Sequence, residues 1–145
     1  MKNALPVLIL LFAIGIAGCK KSMSTHTTSD AFSTLASKKA FLEQYVNFRR
    51  SYEDLHFEIA FMDGGTGIIP GPSEWDIRLL AVIPAEEMDA WVHGLAASDS
   101  PDMEWVQHLP KAPVDLGRFV WFADHSRLVG LDRINRMVLY RNQVF

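Results

Sequence analysis

DLHFEIAFMDGGTGIIPGPSEWDIRLLAVI, residues 54–83, is the stretch whose reading decides the fold. Leu55, Phe57, Ile59 and Phe61 alternate with His56 and Glu58, and this period-two pattern predicts a half-buried strand over 54–62. Trp75, Ile77, Leu79, Ala81 and Ile83 repeat the pattern over 75–83. Between them, residues 63–72 hold four glycines and two prolines, a density that only a loop or hairpin connection tolerates.

Upstream, Phe32, Leu35, Ala36, Phe41, Leu42, Tyr45 and Val46 recur at helical spacing in a segment free of Gly and Pro, which predicts a helix over 31–48. Downstream, Pro84 suits a first helical turn, Glu86, Glu87 and Asp89 suit its positive end, and Gly94 suits its stop. Met88, Trp91, Val92 and Leu95 give that short helix, over 85–94, one apolar stripe. Residues 96–118 carry three prolines and read as irregular, with at most one helical turn over 103–108. Three short strands follow at about 118–123, 128–132 and 137–142. The expected fold is therefore α+β, in the order α-β-β-α-β-β-β. It would be a two-layer sandwich whose antiparallel sheet of about five strands carries two helices on one face.

Composition narrows the function classes. The chain has 145 residues, of which 49% are hydrophobic, enough for a packed core in one domain. A net charge of -3 and a pI of about 5.9 argue against nucleic acid as partner, which needs a clustered basic surface. The single cysteine, Cys19, leaves the rest of the chain without disulfide or thiolate-metal chemistry.

The leader has its own pattern. Lys2 precedes an apolar run, LPVLILLFAIGI (5–16), and the small residues Ala17 and Gly18 come just before Cys19. The run is shorter than the roughly 20 residues of a spanning helix and is followed at once by Lys20 and Lys21. Ile16-Ala17-Gly18-Cys19 resembles the lipobox of bacterial lipoproteins. The resemblance covers the leader alone and implies cleavage between Gly18 and Cys19, acylation of the Cys19 sulfur, and attachment to a membrane through that lipid. Multiple acyl chains make such anchoring durable, since each buried CH₂ contributes about 0.8 kcal/mol. In enteric-type bacteria a residue such as Lys20 after the cysteine directs these proteins to the outer rather than the inner membrane, with the domain on the periplasmic side. KKSMSTHTTSD (20–30) is polar and Ser/Thr-rich, so the expected organisation is signal peptide 1–18, polar tether 19–30 and one α+β domain over 31–145.

Catalytic motifs are weak. Asp63-Gly-Gly-Thr-Gly67 lacks the Lys-Ser/Thr and the following helix of a phosphate loop. No histidine stands in a zinc spacing, and no cofactor or metal is implied. His56 and Glu58, two apart on one strand face, are the best acid–base pair and would suit a small envelope hydrolase. Asp124-His125-Ser126 contains triad residue types, but neighbours on a turn cannot point at one another as a triad requires. Trp75, Trp91 and Trp121 fit the core pattern, whereas Trp105, in a polar irregular stretch, fits either a cap on the core or an interaction anchor. Arg118, Arg127, Arg133, Arg136 and Arg141 make the C-terminal strands basic, with Arg133 and Arg136 as candidate contacts for an acidic partner or as mates of the chain's own carboxylates. These features favour a non-catalytic binding domain for a protein or envelope component. An immunity-type or inhibitor lipoprotein presenting the 63–72 loop is the further alternative.

Overall fold

The computed structural model describes residues 24–64, 73–113 and 115–144. Cys19 and most of the glycine-rich loop therefore lie outside the described residues, as do the rest of the leader and the start of the tether.

One antiparallel sheet of seven strands organises the chain. The strands are β1 (Ser24–Thr28), β2 (Asp54–Asp63), β3 (Ser73–Val82), β4 (Ala96–Ala97), β5 (Val120–Ala123), β6 (Arg127–Asp132) and β7 (Met137–Val144), in the spatial order β1-β2-β3-β7-β6-β5-β4. Among the described residues two short α-helices accompany it, α1 (Leu35–Leu42) and α2 (Met88–Trp91).

This corrects the expected two-layer sandwich of about five strands with two helices packed on one face. Ser24–Thr28, read as tether, pairs with Thr28 opposite Glu58 and Ser24 opposite Met62. An edge strand with one hydrogen-bonded neighbour needs no apolar run, so Ser-Thr-His-Thr-Thr gives no period-two signal. α1 starts where Thr34 and Ser37 form a reciprocal capping box, Thr34 Oγ1 accepting from Ser37 N at 3.1 Å and Ser37 Oγ from Thr34 N at 3.3 Å. It ends at Leu42 rather than 48, because the aromatic periodicity beyond it serves packing on the sheet and not helix continuation. Tyr45 packs at a tilt against Trp75 at 5.1 Å, and Phe48 meets Tyr140 at 5.5 Å and Trp91 at 5.1 Å. The helix expected over 85–94 shrinks to a 3-10 turn and the four residues of α2. A helix that short gains little from cooperative hydrogen bonding, and Gly94 at φ +78° turns the chain away.

Register places two sets of side chains on opposite faces. Leu55, Phe57 and Ile59 of β2 lie with Ile77, Leu79 and Ala81 of β3, Val138 and Tyr140 of β7, and Val129 and Leu131 of β6, covered by Leu42, Val46, Met88 and Trp91. The other face, which a two-layer sandwich would leave open, is covered over part of its area by the irregular 98–118 segment. Trp105, Val106 and Leu109 from a 3-10 turn over Glu104–His108 pack there with Leu80, Phe119, Trp121 and Leu139. Gly130 lies opposite Trp121 in the ladder, and a Cβ there would stand 2.9 Å from the indole ring, so the ring packs where only glycine leaves room. Among the described residues no helix is long and apolar enough to cross a membrane.

Candidate binding cleft

His56 and Glu58 do lie on the same face of β2, but they do not join. His56 is only 5% exposed and its Nε2 donates to Asp54 Oδ2 at 3.0 Å. Glu58 turns to other partners. His26 Nε2 donates to Glu58 Oε1 at 2.5 Å, and Arg78 Nη1 to Oε2 at 3.0 Å. Arg78 Nε and Nη2 also donate to Asp76 Oδ2, and Arg141 reaches both Asp76 oxygens at 3.1 and 2.9 Å and Asp102 at 3.3 Å. An ionic ladder thus crosses β1, β2, β3 and β7 and ties the 98–118 segment to the sheet. Burial alone would raise the Asp76 carboxyl, yet the bonds from Arg141 and Arg78 hold it below the usual carboxylate range. Glu58, Asp76 and Asp102 are thus each bonded to Arg78 or Arg141 within the ladder.

The remaining candidates divide similarly. Trp105 is 2% exposed and its indole N–H donates to the Asp102 carbonyl at 2.9 Å, which makes it a cap on the second core. Its appearance as an exposed anchor came from the polar residues around it, and a 3-10 turn carries no 3.6 period to flag burial. Arg133 Nη2 pairs with Asp89 at 2.6 Å, and Arg136 Nη1 with Glu53 at 2.5 Å. Both arginines thus bind the chain's own carboxylates, and Arg136 occupies the left-handed turn position (φ 56°) of the β6–β7 hairpin. Asp124 Oδ1 accepts from the backbone N–H of Ser126 and Arg127, while the His125 side chain is 92% exposed. These three residues cap a turn rather than form a triad. Among the described residues no group of three or more His, Cys, Asp or Glu is placed to hold a metal ion.

A cleft that the sequence does not announce forms on the helix-bearing face of the sheet. Its walls come from four segments: Asn47, Phe48 and Arg50 after α1, Ala90 and Trp91 of α2, Ser126 and Arg127 at the β5–β6 turn, and Tyr140 and Asn142 of β7. Its volume is about 310 Å³, at the small end of the range for small-molecule sites. Phe48, Trp91 and Tyr140 meet edge to face, with centroids 5.1 to 5.8 Å apart, and set the rigid wall. Arg50 lies over Phe48 and Trp91 at 5.9 and 5.7 Å, and its Nη2 donates to the Ala90 carbonyl at 2.9 Å.

Three of these residues carry a buried polar atom with no hydrogen-bond partner among the described residues: Arg50 Nε, Trp91 Nε1 and Asn142 Oδ1. Four further such atoms lie elsewhere among the described residues, on Ser29, Glu43, Tyr52 and His56, so the cleft residues hold three of seven, each shielded from solvent and costing about 1–3 kcal/mol of desolvation. Burial pushes the Tyr140 hydroxyl up to about 12, against the opposing influence of Arg127 and Asn142, so it stays protonated at neutral pH. The legible signal was Asn142, a polar residue continuing the apolar face of Val138 and Tyr140. No family model matches the chain, and comparison with curated proteins and with solved structures likewise finds no match.

Proposed function

We propose that the chain is a lipid-anchored envelope protein, acylated on Cys19, whose folded domain acts on the periplasmic side as a non-catalytic binding module. The observation that carries the binding half is the cleft itself, a hollow of about 310 Å³ walled by the edge-to-face rings of Phe48, Trp91 and Tyr140. No Asp, Glu or His stands among its lining residues, so the wall offers no carboxylate or imidazole base. The anchoring half rests on Ile16-Ala17-Gly18-Cys19. The outer membrane is the favoured location on the strength of Lys20.

Each half has its own test. Cys19→Ser should move the protein from the membrane to the soluble fraction, and unchanged fractionation would reject the anchor. Equilibrium dialysis of the full chain in mild detergent against an envelope extract should retain a small molecule chemically unchanged. Progressive conversion of the retained compound would establish an enzyme instead.

A further inference from the structure

We infer that the end of the sheet carrying Ser24, Met62 and Val144 rests against a lipid bilayer, a placement that depends on the Cys19 anchor proposed above and gives the anchored domain its orientation. Register puts Ser24, Met62 and Glu74 in one row across β1, β2 and β3, and Thr25, Phe61, Trp75 and Val144 in the next, which reaches β7. A polypeptide spans at most ~3.3–3.6 Å per residue, so the stretch from Cys19 to Ser24 holds an acylated Cys19 within about 18 Å of this end, whatever path it takes. The opposite end carries the β6–β7 turn. The run of β7 from Val144 back to Met137 puts that turn about 23 Å away, at ~3.3 Å per residue.

The side chains at the near end suit lipid. Met62 and Val144 are 53% and 48% exposed, and half-buried Trp75 packs beside them against Phe61 at 4.5 Å and Tyr45 at 5.1 Å. Trp and Tyr favour the boundary between headgroups and hydrocarbon, where the ring is sheltered and its polar tip stays hydrated. The strand residues here, 24–25, 61–63, 73–75 and 143–144, include Asp63 and Glu74 and no Lys or Arg. The contact is therefore apolar, and a zwitterionic phosphatidylcholine surface fits it better than an anionic one. Exposure alone would choose Ile134 in the β6–β7 turn, which is 82% exposed, but that side chain stands at the far end. Lying on the β1 edge instead would press the polar Ser-Thr-His-Thr-Thr strand and its outer backbone groups toward hydrocarbon, which offers them no hydrogen bonds.

The test uses the acylated full chain with one introduced cysteine at a time, Met62→Cys, Val144→Cys or Ile134→Cys, each carrying a bimane fluorophore. All three side chains are exposed, so the variants should keep the wild-type melting temperature. Each is reconstituted into phosphatidylcholine vesicles, collected by flotation, and quenched by a spin-labelled lipid from the membrane side or by iodide from the water side. The lipid should quench labels at 62 and 144 at least threefold more than the label at 134, and iodide should give the reverse order. Adding phosphatidylglycerol should weaken the lipid quenching, and stronger quenching would overturn the apolar contact. If the label at 134 meets lipid as strongly as the other two, the orientation is wrong while the anchor stands. If the label at 62 responds to lipid and that at 144 does not, the sheet lies on its β1 edge and the inference falls. If both are shielded from iodide but untouched by the lipid quencher, and tenfold dilution in the vesicles exposes them, a second copy covers this end instead of lipid. Chains that fail to float reject the anchor, and the orientation with it.

Discussion

Replacing Trp105 with alanine separates the two roles that the sequence allowed it. The side chain is 2% exposed and packs with Leu80, Val106, Leu109, Phe119, Trp121 and Leu139 on the second face of the sheet. Truncating a buried tryptophan costs about 3–5 kcal/mol, and the lost indole bond to the Asp102 carbonyl adds about 1 kcal/mol. A loss of about 4 to 6 kcal/mol is a large share of the roughly 5–15 kcal/mol that stabilises a domain. For a domain of this size the melting temperature should fall by about 15 °C or more. Trp105→Phe keeps most of the ring and loses the hydrogen bond, so about 1–2 kcal/mol should go. Urea denaturation followed by circular dichroism measures both, with the slope checked for two-state behaviour. A Trp105→Ala protein within 0.5 kcal/mol of wild type would show that the residue does not cap a core, and the exposed-anchor role would return.

Gly130→Ala should cost about 1–3 kcal/mol, because its Cβ would meet the Trp121 ring at 2.9 Å. Combining it with Trp121→Leu should recover part of that loss, whereas additive effects in the double mutant would show that the ring is not the obstacle. Asp124 gives a pH prediction. Although desolvation would raise its carboxyl, bonds from Arg127 and from the Ser126 and Arg127 backbone hold it at about 2, against 3.8 unfolded. A depressed folded value stabilises above the unfolded value and is lost as pH falls through the folded one. Thermal melts between pH about 4 and about 2 should therefore fall more steeply for wild type than for Asp124→Asn, and parallel curves would remove Asp124 from the acid response.

The two central strands were legible because their alternation is a property of residues on one element: Phe57 and Ile59 face one core and His56 and Glu58 the other side, whatever else the chain does. Elements that depend on partners were not. β1 is a strand because β2 offers it an edge, and its threonines carry no mark of that. The helix over 31–48 was overextended because Tyr45 and Phe48 bury against Trp75 and Tyr140, and burial by a sheet leaves the same spacing as burial by a helix face. Trp105 misled for the opposite reason, since a buried residue on a 3-10 turn has no periodic neighbours to reveal it. His56 and Glu58 share a face as expected, yet pairing was decided across strands by His26, Arg78 and Asp54, which single-strand periodicity cannot see. The cleft was the least legible feature, because its residues lie nearly a hundred positions apart and meet only when β7 takes its place beside β3.

Native mass spectrometry of the wild-type protein and the Arg50→Gln variant, each released from envelopes in mild detergent, tests the central claim most directly. The account predicts a small-molecule adduct on wild type that is released intact and is absent or at least tenfold depleted in the variant. Equal occupancy in the two proteins, or no adduct on wild type, would contradict it.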